Sequence, residues 1–182
     1  QEDASQLIEH FNKIGKWNLY HRHRAGRRPT TTFYCSDEQL LCLLETCDFL
    51  NKKIKSADKI IHFIGESNLK YWLCGLIDGD GCISHHQQTL GKRLNKNWFS
   101  LRLSVYSTYE QDWMYLEKIC QTLKIKYNII RRLRPMGDSS ELNLNGSWAM
   151  KFCSYIYDGL DIACLKRKKE KYLMYLKSRP IH

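Results

Sequence analysis

Leu73-Cys74-Gly75-Leu76-Ile77-Asp78-Gly79-Asp80-Gly81 is an apolar helical run that ends on two acids set between glycines. A helix C-terminus carries about half a negative charge and a set of unpaired carbonyls, so carboxylates are disfavoured there. A divalent cation reverses that preference. With one bound, Asp80 and the neighbouring Gly79 carbonyl become hard oxygen ligands. A calcium loop of the EF-hand kind is excluded, because the twelfth position from Asp78 is Thr89, where a bidentate Glu is needed. A helix stop followed by a turn would also use Asp and Gly. Gly75, one helical turn before Gly79, adds something a stop does not need: two glycines on one stripe let a second helix approach closely, with Leu73, Leu76 and Ile77 around them.

Downstream, the hydropathy period changes to two. Ser100, Arg102, Ser104 and Tyr106 alternate with Leu101, Leu103 and Val105, which predicts a strand with one polar and one core face. Ser84, His86 and Gln88 form a similar series just after Gly81, and Lys92, Arg93 and Lys96 between the two suit phosphate contacts. A helix is predicted over Tyr109 to Leu123, then a strand from Tyr127 to Arg134 with Asn128, Arg132 and Arg134 on one face. A turn at Pro135-Met136-Gly137 leads into a strand from Glu141 to Asn145 and a helix from Ser147 to Tyr157. The basic run Leu165-Lys166-Arg167-Lys168-Lys169 opens a last amphipathic helix, with Tyr172, Leu173 and Leu176 expected inward.

The Leu73–Gly81 run resembles the LAGLIDADG motif of homing endonucleases and their maturase relatives, matching seven of nine positions, with Cys74 and Gly79 as small-residue substitutions. The order αββαββα from about Leu69 to Lys177 is similar to one half of that family. The resemblance implies an α+β fold: a saddle of antiparallel strands with helices on one face and the polar face in a DNA major groove. It implies further that two motif helices pack together and bring one acid each to adjacent active sites. Asp80 would then be catalytic and a ligand, with Gly79, of Mg²⁺ or another divalent cation; Lys166 matches a basic residue near the scissile phosphate. Arg side chains on the saddle suit guanine, and Gln, Ser and His suit other base edges. Ser107 and Gln111 depart from the pattern, standing where active relatives often place a Gln and a basic residue around the attacking water.

The first part of the chain repeats the second. Lys16-Trp17-Asn18-Leu19-Tyr20-His21-Arg22-His23-Arg24 aligns with Lys126-Tyr127-Asn128-Ile129-Ile130-Arg131-Arg132-Leu133-Arg134 at a spacing of 110. Leu40, Leu41, Leu43, Leu44 and Cys47 fall on Ala149, Met150, Phe152, Cys153 and Ile156 at 109, and Leu7, Phe11 and Ile14 fall on Leu116, Cys120 and Leu123. Residues 1–65 therefore read as a truncated half (helix, two strands, helix), and 66–182 as a complete half. Arg22 and Arg24 would mirror Arg132 and Arg134. The missing motif helix is expected from a preceding segment, a separate fragment or a homodimer mate, and Gln1 in place of Met agrees with part of a longer or processed product.

Composition narrows the partners. A net charge of +10 over 182 residues, with 12% aromatics among the Lys and Arg, fits a polyanion. The eight cysteines include no CxxC pair, and Cys42, Cys47, Cys74, Cys120 and Cys153 fall in apolar helical runs, which suits small buried hydrophobes in a reducing, intracellular setting better than disulfides or zinc. No apolar stretch approaches the roughly 20 residues that span a bilayer. The expected function is site-specific, metal-dependent DNA cleavage of the homing type. The alternative is a non-catalytic RNA-binding protein on the same fold, a group I intron maturase or a structural partner of folded RNA such as organellar rRNA. The intron-borne relatives imply a mitochondrion or chloroplast.

Overall fold

A computed structural model describes residues 2–11, 17–22, 25–26, 30–48, 57–89, 97–135, 137–159 and 164–178. The chain divides into two compact units, Gln1–Ile54 and Lys55–His182.

The first helix of the second unit is α3 (Asp58–Asp80), numbered after α1 (Glu2–Phe11) and α2 (Glu38–Thr46) of the first. It starts well before Leu69, and non-helical backbone at Gly65 (φ 70, ψ 169) divides it; glycine is the residue that adopts this conformation without strain. Then come β3 (Gly81–Thr89), β4 (Asn97–Thr108), α4 (Met114–Thr122), β5 (Asn128–Arg132), β6 (Ser139–Asn145), α5 (Ser147–Tyr157) and α6 (Lys166–Lys177). Helix α4 starts later than its periodicity suggests: its N-cap is Trp113, without a side-chain cap, and Asp112 before it closes an Asx turn, with Oδ1 accepting from the Met114 amide at 2.9 Å.

The four strands form one antiparallel sheet in the order β3-β4-β6-β5. Side chains alternate across it. Ile83, Leu101, Leu103, Val105, Leu142 and Leu144 are buried on one face, in a core shared with Leu73 and Ile77 of α3, Leu116 of α4, Phe152 and Ile156 of α5 and Tyr172 of α6. Trp113 is buried before α4, and its indole donates to Ser140 Oγ at 3.1 Å, as a buried Trp N–H must find an acceptor. This is the α+β, αββαββα arrangement expected from the sequence, with a further C-terminal helix.

Three packing expectations are corrected. In α6 the inward stripe is Lys168, Tyr172 and Tyr175, while Leu173 and Leu176 are exposed, because the core-facing side of this helix is set by positions i, i+4 and i+7 from Lys168. In α3, Leu73 and Ile77 belong to the core and do not flank an open glycine stripe; Gly75 and Gly79 face outward with nothing within 4 Å of a would-be Cβ. Cys42 is exposed, since no residue of α2 is buried.

The first unit, taken alone, runs α1 (Glu2–Phe11), β1 (Asn18–Arg22), β2 (Thr30–Tyr34), α2 (Glu38–Thr46). Its helix-strand-strand-helix order is that of α4-β5-β6-α5. Asn18 and Asn128 open β1 and β5; Thr30 and Ser139 open β2 and β6; Glu38 and Ser147 open α2 and α5, at offsets of 110, 109 and 109. Pairing follows the same offsets: Asn18 lies opposite Tyr34 and Arg22 opposite Thr30, as Asn128 lies opposite Asn143 and Arg132 opposite Ser139.

Burial, followed by nearby carboxylates, pushes the thiols of Cys74, Cys120 and Cys153 up to about 12 from an ordinary value near 9; the carboxylates are Asp78, Glu117 and Asp158 respectively. Well below pH 9 these thiols are neutral whether the chain is folded or not. Between about 9 and 12 only the unfolded chain ionises them, so their contribution to stability is lost as pH rises through that window. At about pH 8.5, iodoacetamide should modify Cys42 and Cys82, which are exposed, and reach Cys74, Cys120 and Cys153 only in denaturant, as read by peptide mass spectrometry. Native labelling of Cys74 would contradict this packing.

Candidate nucleic-acid interface and acidic helix end

Asp80 is the last residue of α3 and Gly81 the first of β3, so helix passes into strand with no loop between them. A Cβ on Gly81 would lie 2.5 Å from the Ile77 carbonyl oxygen, which explains why glycine stands at the junction. Asp78 is half-buried, and its Oδ2 accepts from the Leu165 amide at 2.7 Å and from the Cys74 thiol at 3.9 Å, tying the end of α3 to the start of α6. Asp80 is exposed. Its charge is felt by Tyr115, whose phenol is pushed up by burial first and then by Asp80 and Asp112.

The cation at this helix end is one the sequence reading passed over. Lys168, 3% exposed, donates from Nζ to the carbonyls of Ile77 (2.6 Å), Asp78 (2.7 Å) and Gly81 (2.7 Å). An ammonium has three protons, and a helix C-terminus offers unpaired carbonyls and partial negative charge, so the match is complete in number and sign. None of the three is the Gly79 carbonyl expected to join Asp80 at a metal. Lys166, the basic residue singled out from the sequence, sits exposed at the first position of α6.

Among the described residues there is no cluster of three or more His, Cys, Asp or Glu able to hold a metal ion. The donors present fit a hard divalent cation in kind, since an exposed carboxylate and a main-chain carbonyl are both oxygen ligands, but they supply only part of a shell of six or more. Water, phosphate oxygens and an acid from elsewhere would have to complete it.

The polar face of the sheet begins two residues after Asp80. Antiparallel partners share a face, and the register aligns Cys82 with Ser104 and Asn143, Ser84 with Arg102 and Asn145, and His86 with Ser100. Asn128 and Arg132 of β5 lie opposite Asn143 and Ser139. The face therefore brings together Ser84, Ser100, Arg102, Ser104, Asn128 and Arg132, with Tyr106 46% exposed beside them. His86 and Gln88 are on β3, but their side chains lie outside the described structure, as do Lys92, Arg93, Lys96 and Arg24 entirely. Arg134 is exposed past the end of β5, where its amide donates to Asp138 Oδ1 at 3.0 Å. Arg22 is exposed at the end of β1 in the other unit. Ser107 donates to Gln111 Oε1 at 2.8 Å, so the two departures from the motif pattern bind each other.

Two acceptors at the centre of the face were not among the expected residues. Ser104 is buried, and its hydroxyl donates to Asn143 Oδ1 at 2.5 Å; Arg102 donates to the same oxygen from Nε (3.2 Å) and Nη2 (2.7 Å). Glu141, 3% exposed, accepts from Arg132 Nη2 at 2.5 Å and lies 3.8 Å from Arg102 Nη2. A cavity of about 460 Å³ opens elsewhere, among Ile61, Leu69, Tyr115, Ile119, Leu123 and Tyr155, and its lining includes neither Asp80 nor any residue of the sheet face.

No family model and no curated protein matches the sequence. Solved structures do. The meganuclease I-SmaMI bound to uncleavable DNA aligns over 97% of this chain and 75% of its own, with TM-score 0.61 and 12% identity. The I-LtrWI LAGLIDADG homing endonuclease bound to target DNA aligns over 98% and 77%, with TM-score 0.57 and 17% identity. I-CvuI, a homing endonuclease in complex with its target, aligns over 60% of this chain, which spans 64% of that enzyme, with TM-score 0.44 and 23% identity. The chain thus has the LAGLIDADG homing endonuclease fold.

Replacing Lys168 by Met keeps the buried stem and removes the three donors. The Ile77 carbonyl keeps the Gly81 amide, so at most two acceptors are left unpaired, and at about 1–3 kcal/mol each Lys168→Met should lower unfolding stability by about 2 kcal/mol or more in urea titrations. Lys166→Met should change it by less than about 0.5 kcal/mol, as for an ordinary surface site.

Proposed function

We propose that this LAGLIDADG-fold chain is part of a site-specific DNA endonuclease of the homing type. The observation that carries the reading is the placement of Asp80: an exposed carboxylate at a helix end fixed by Lys168 and Asp78, immediately preceding the strand that opens a polar, arginine-bearing sheet face. That face would lie in the major groove, with Ser84, Ser100, Arg102, Asn128 and Arg132 toward base edges and phosphates. A divalent cation, with Mg²⁺ the proposed ion, would be held by Asp80 and Gly79 and would polarise a phosphate oxygen and activate water. Lys166 would balance charge developing on the phosphate.

Residues 1–65 are proposed to be the trailing part of a second half. The shared offsets and strand registers support this, and so does the burial pattern: Leu41 (40%) and Leu43 (36%) are exposed, whereas Met150 and Phe152, their counterparts in α5, are half-buried and buried. Outward-facing Gly75 and Gly79 suit a second helix of the same kind, from the same product, a fragment or a second copy. That helix would bring the second acid, since one carboxylate serves one strand of the duplex.

With Mg²⁺ and a duplex selected from a randomised library, Asp80→Asn should reduce strand cleavage at least about a thousandfold and leave duplex affinity within a few-fold, because the substitution removes a metal ligand and not a groove contact. Cleavage at the unaltered rate would remove Asp80 from the reaction. Tight binding of folded RNA with no duplex cleavage by the unaltered chain would favour the RNA-binding reading instead.

A further inference from the structure

We propose that Glu141 is a positioning residue for sequence reading: it holds Arg102 and Arg132 with free donor edges toward guanine while lowering the pull of the face on phosphates. The inference rests on the sheet face being a nucleic-acid interface, as set out above.

Glu141 lies on β6, between β4 and β5, and its register partners Tyr106 and Ile130 put it on the polar face. A carboxylate 3% exposed needs compensation, and here it comes from two guanidinium groups, Arg132 Nη2 at 2.5 Å and Arg102 Nη2 at 3.8 Å. Arg102 is held from a second side by Asn143 Oδ1 and by Ser104 Oγ, the latter 3.1 Å from Nε. These contacts use only some of the donors. Nη1 of Arg102, and Nε and Nη1 of Arg132, have no hydrogen-bond partner among the described residues, and the two side chains stay 33% and 38% exposed. A guanidinium fixed along one edge and open along another is arranged for a planar target with two acceptors, and the O6 and N7 of guanine are that target in the major groove.

The charge bears on affinity in the opposite sense. Two arginines and one glutamate leave the cluster with one net positive charge, so it binds the phosphate backbone less well than the arginines would alone. Because backbone attraction is shared by every sequence, weakening it leaves a larger part of the binding to base contacts.

The test uses the full chain, selection from a randomised duplex library for base preference, and one fixed unrelated duplex titrated across salt. Glu141→Gln should bind the unrelated duplex about three- to tenfold more tightly near 0.15 M salt, with a log–log salt slope steeper by about 0.9, the share of one phosphate. Guanine enrichment should fall about tenfold at the position the unaltered chain selects. Arg132→Lys leaves the buried acid paired and the net charge unchanged, and decides the matter should the first variant fail to fold; it should keep the salt slope and lose the same enrichment. Unchanged slope and preference in Glu141→Gln, weaker binding to every duplex, or retained guanine preference in Arg132→Lys would each overturn the proposal. An unaltered chain that binds neither duplex would overturn the underlying reading of the face, and this inference with it.

Discussion

The contact between the Lys168 ammonium and the carbonyls of Ile77, Asp78 and Gly81 is the constraint on which the rest of the second unit's site depends. It joins the C-terminus of α3, the start of β3 and the first turn of α6 at one point. Its geometry also decides what Asp80 is free to do. With the helix-end carbonyls neutralised from inside the protein, the dipole that would repel a carboxylate is offset, and Asp80 is exposed at the same end. Asp78, two residues earlier, accepts from the Leu165 backbone and has a structural part. Two aspartates separated by one glycine thus have different surroundings: Asp78 is half-buried and bonded to the start of α6, and Asp80 is exposed.

The sheet repeats this division of labour by alternation. Along β6, Leu142 and Leu144 enter the core while Glu141 and Asn143 sit on the polar side, yet all four are buried. Burial of polar groups is costly unless they are paired, and here the Asn143 and Glu141 oxygens accept from arginines of the neighbouring strands while the buried Asn143 Nδ2 has no partner among the described residues. The centre of the face is therefore a bonded network, whereas Tyr106, Asn128 and Arg134 around it are exposed. Such a network resists rearrangement because moving one arginine uncovers a buried acceptor.

Much of this was legible in the sequence, for reasons that can be located. The motif helix, the alternation in β4 and the apolar stripe of α5 are all patterns of period 3.6 or 2 with strong amplitude, and the structure follows them. Lys168 was hidden because it lies in a run of basic residues, where one buried lysine looks like its solvated neighbours; only its spacing of four and seven from Tyr172 and Tyr175 marks it as inward. Leu173 and Leu176 attracted attention through hydropathy and proved exposed, since phase outweighs apolarity in deciding which side of a short helix is covered. Glu141 and Asn143 were within a recognised strand, but a carboxylate on a face reading as basic carries no signal until the register puts Arg102 and Arg132 beside it. Pairing across strands is a non-local fact, and a single strand's sequence does not contain it.

The absence of a loop between Asp80 and Gly81 has a mechanical consequence. A flexible connection would let α3 and the β3 edge of the sheet adjust separately, whereas a direct junction, with Ile77 packed against the position where a side chain would begin, makes them one lever. Rotation of α3 about its axis must reappear as tilt of β3. The two glycines facing outward on that helix and strand β3 at its end are therefore in register with each other in the engineering sense, so that whatever seats against the one sets the angle of the other.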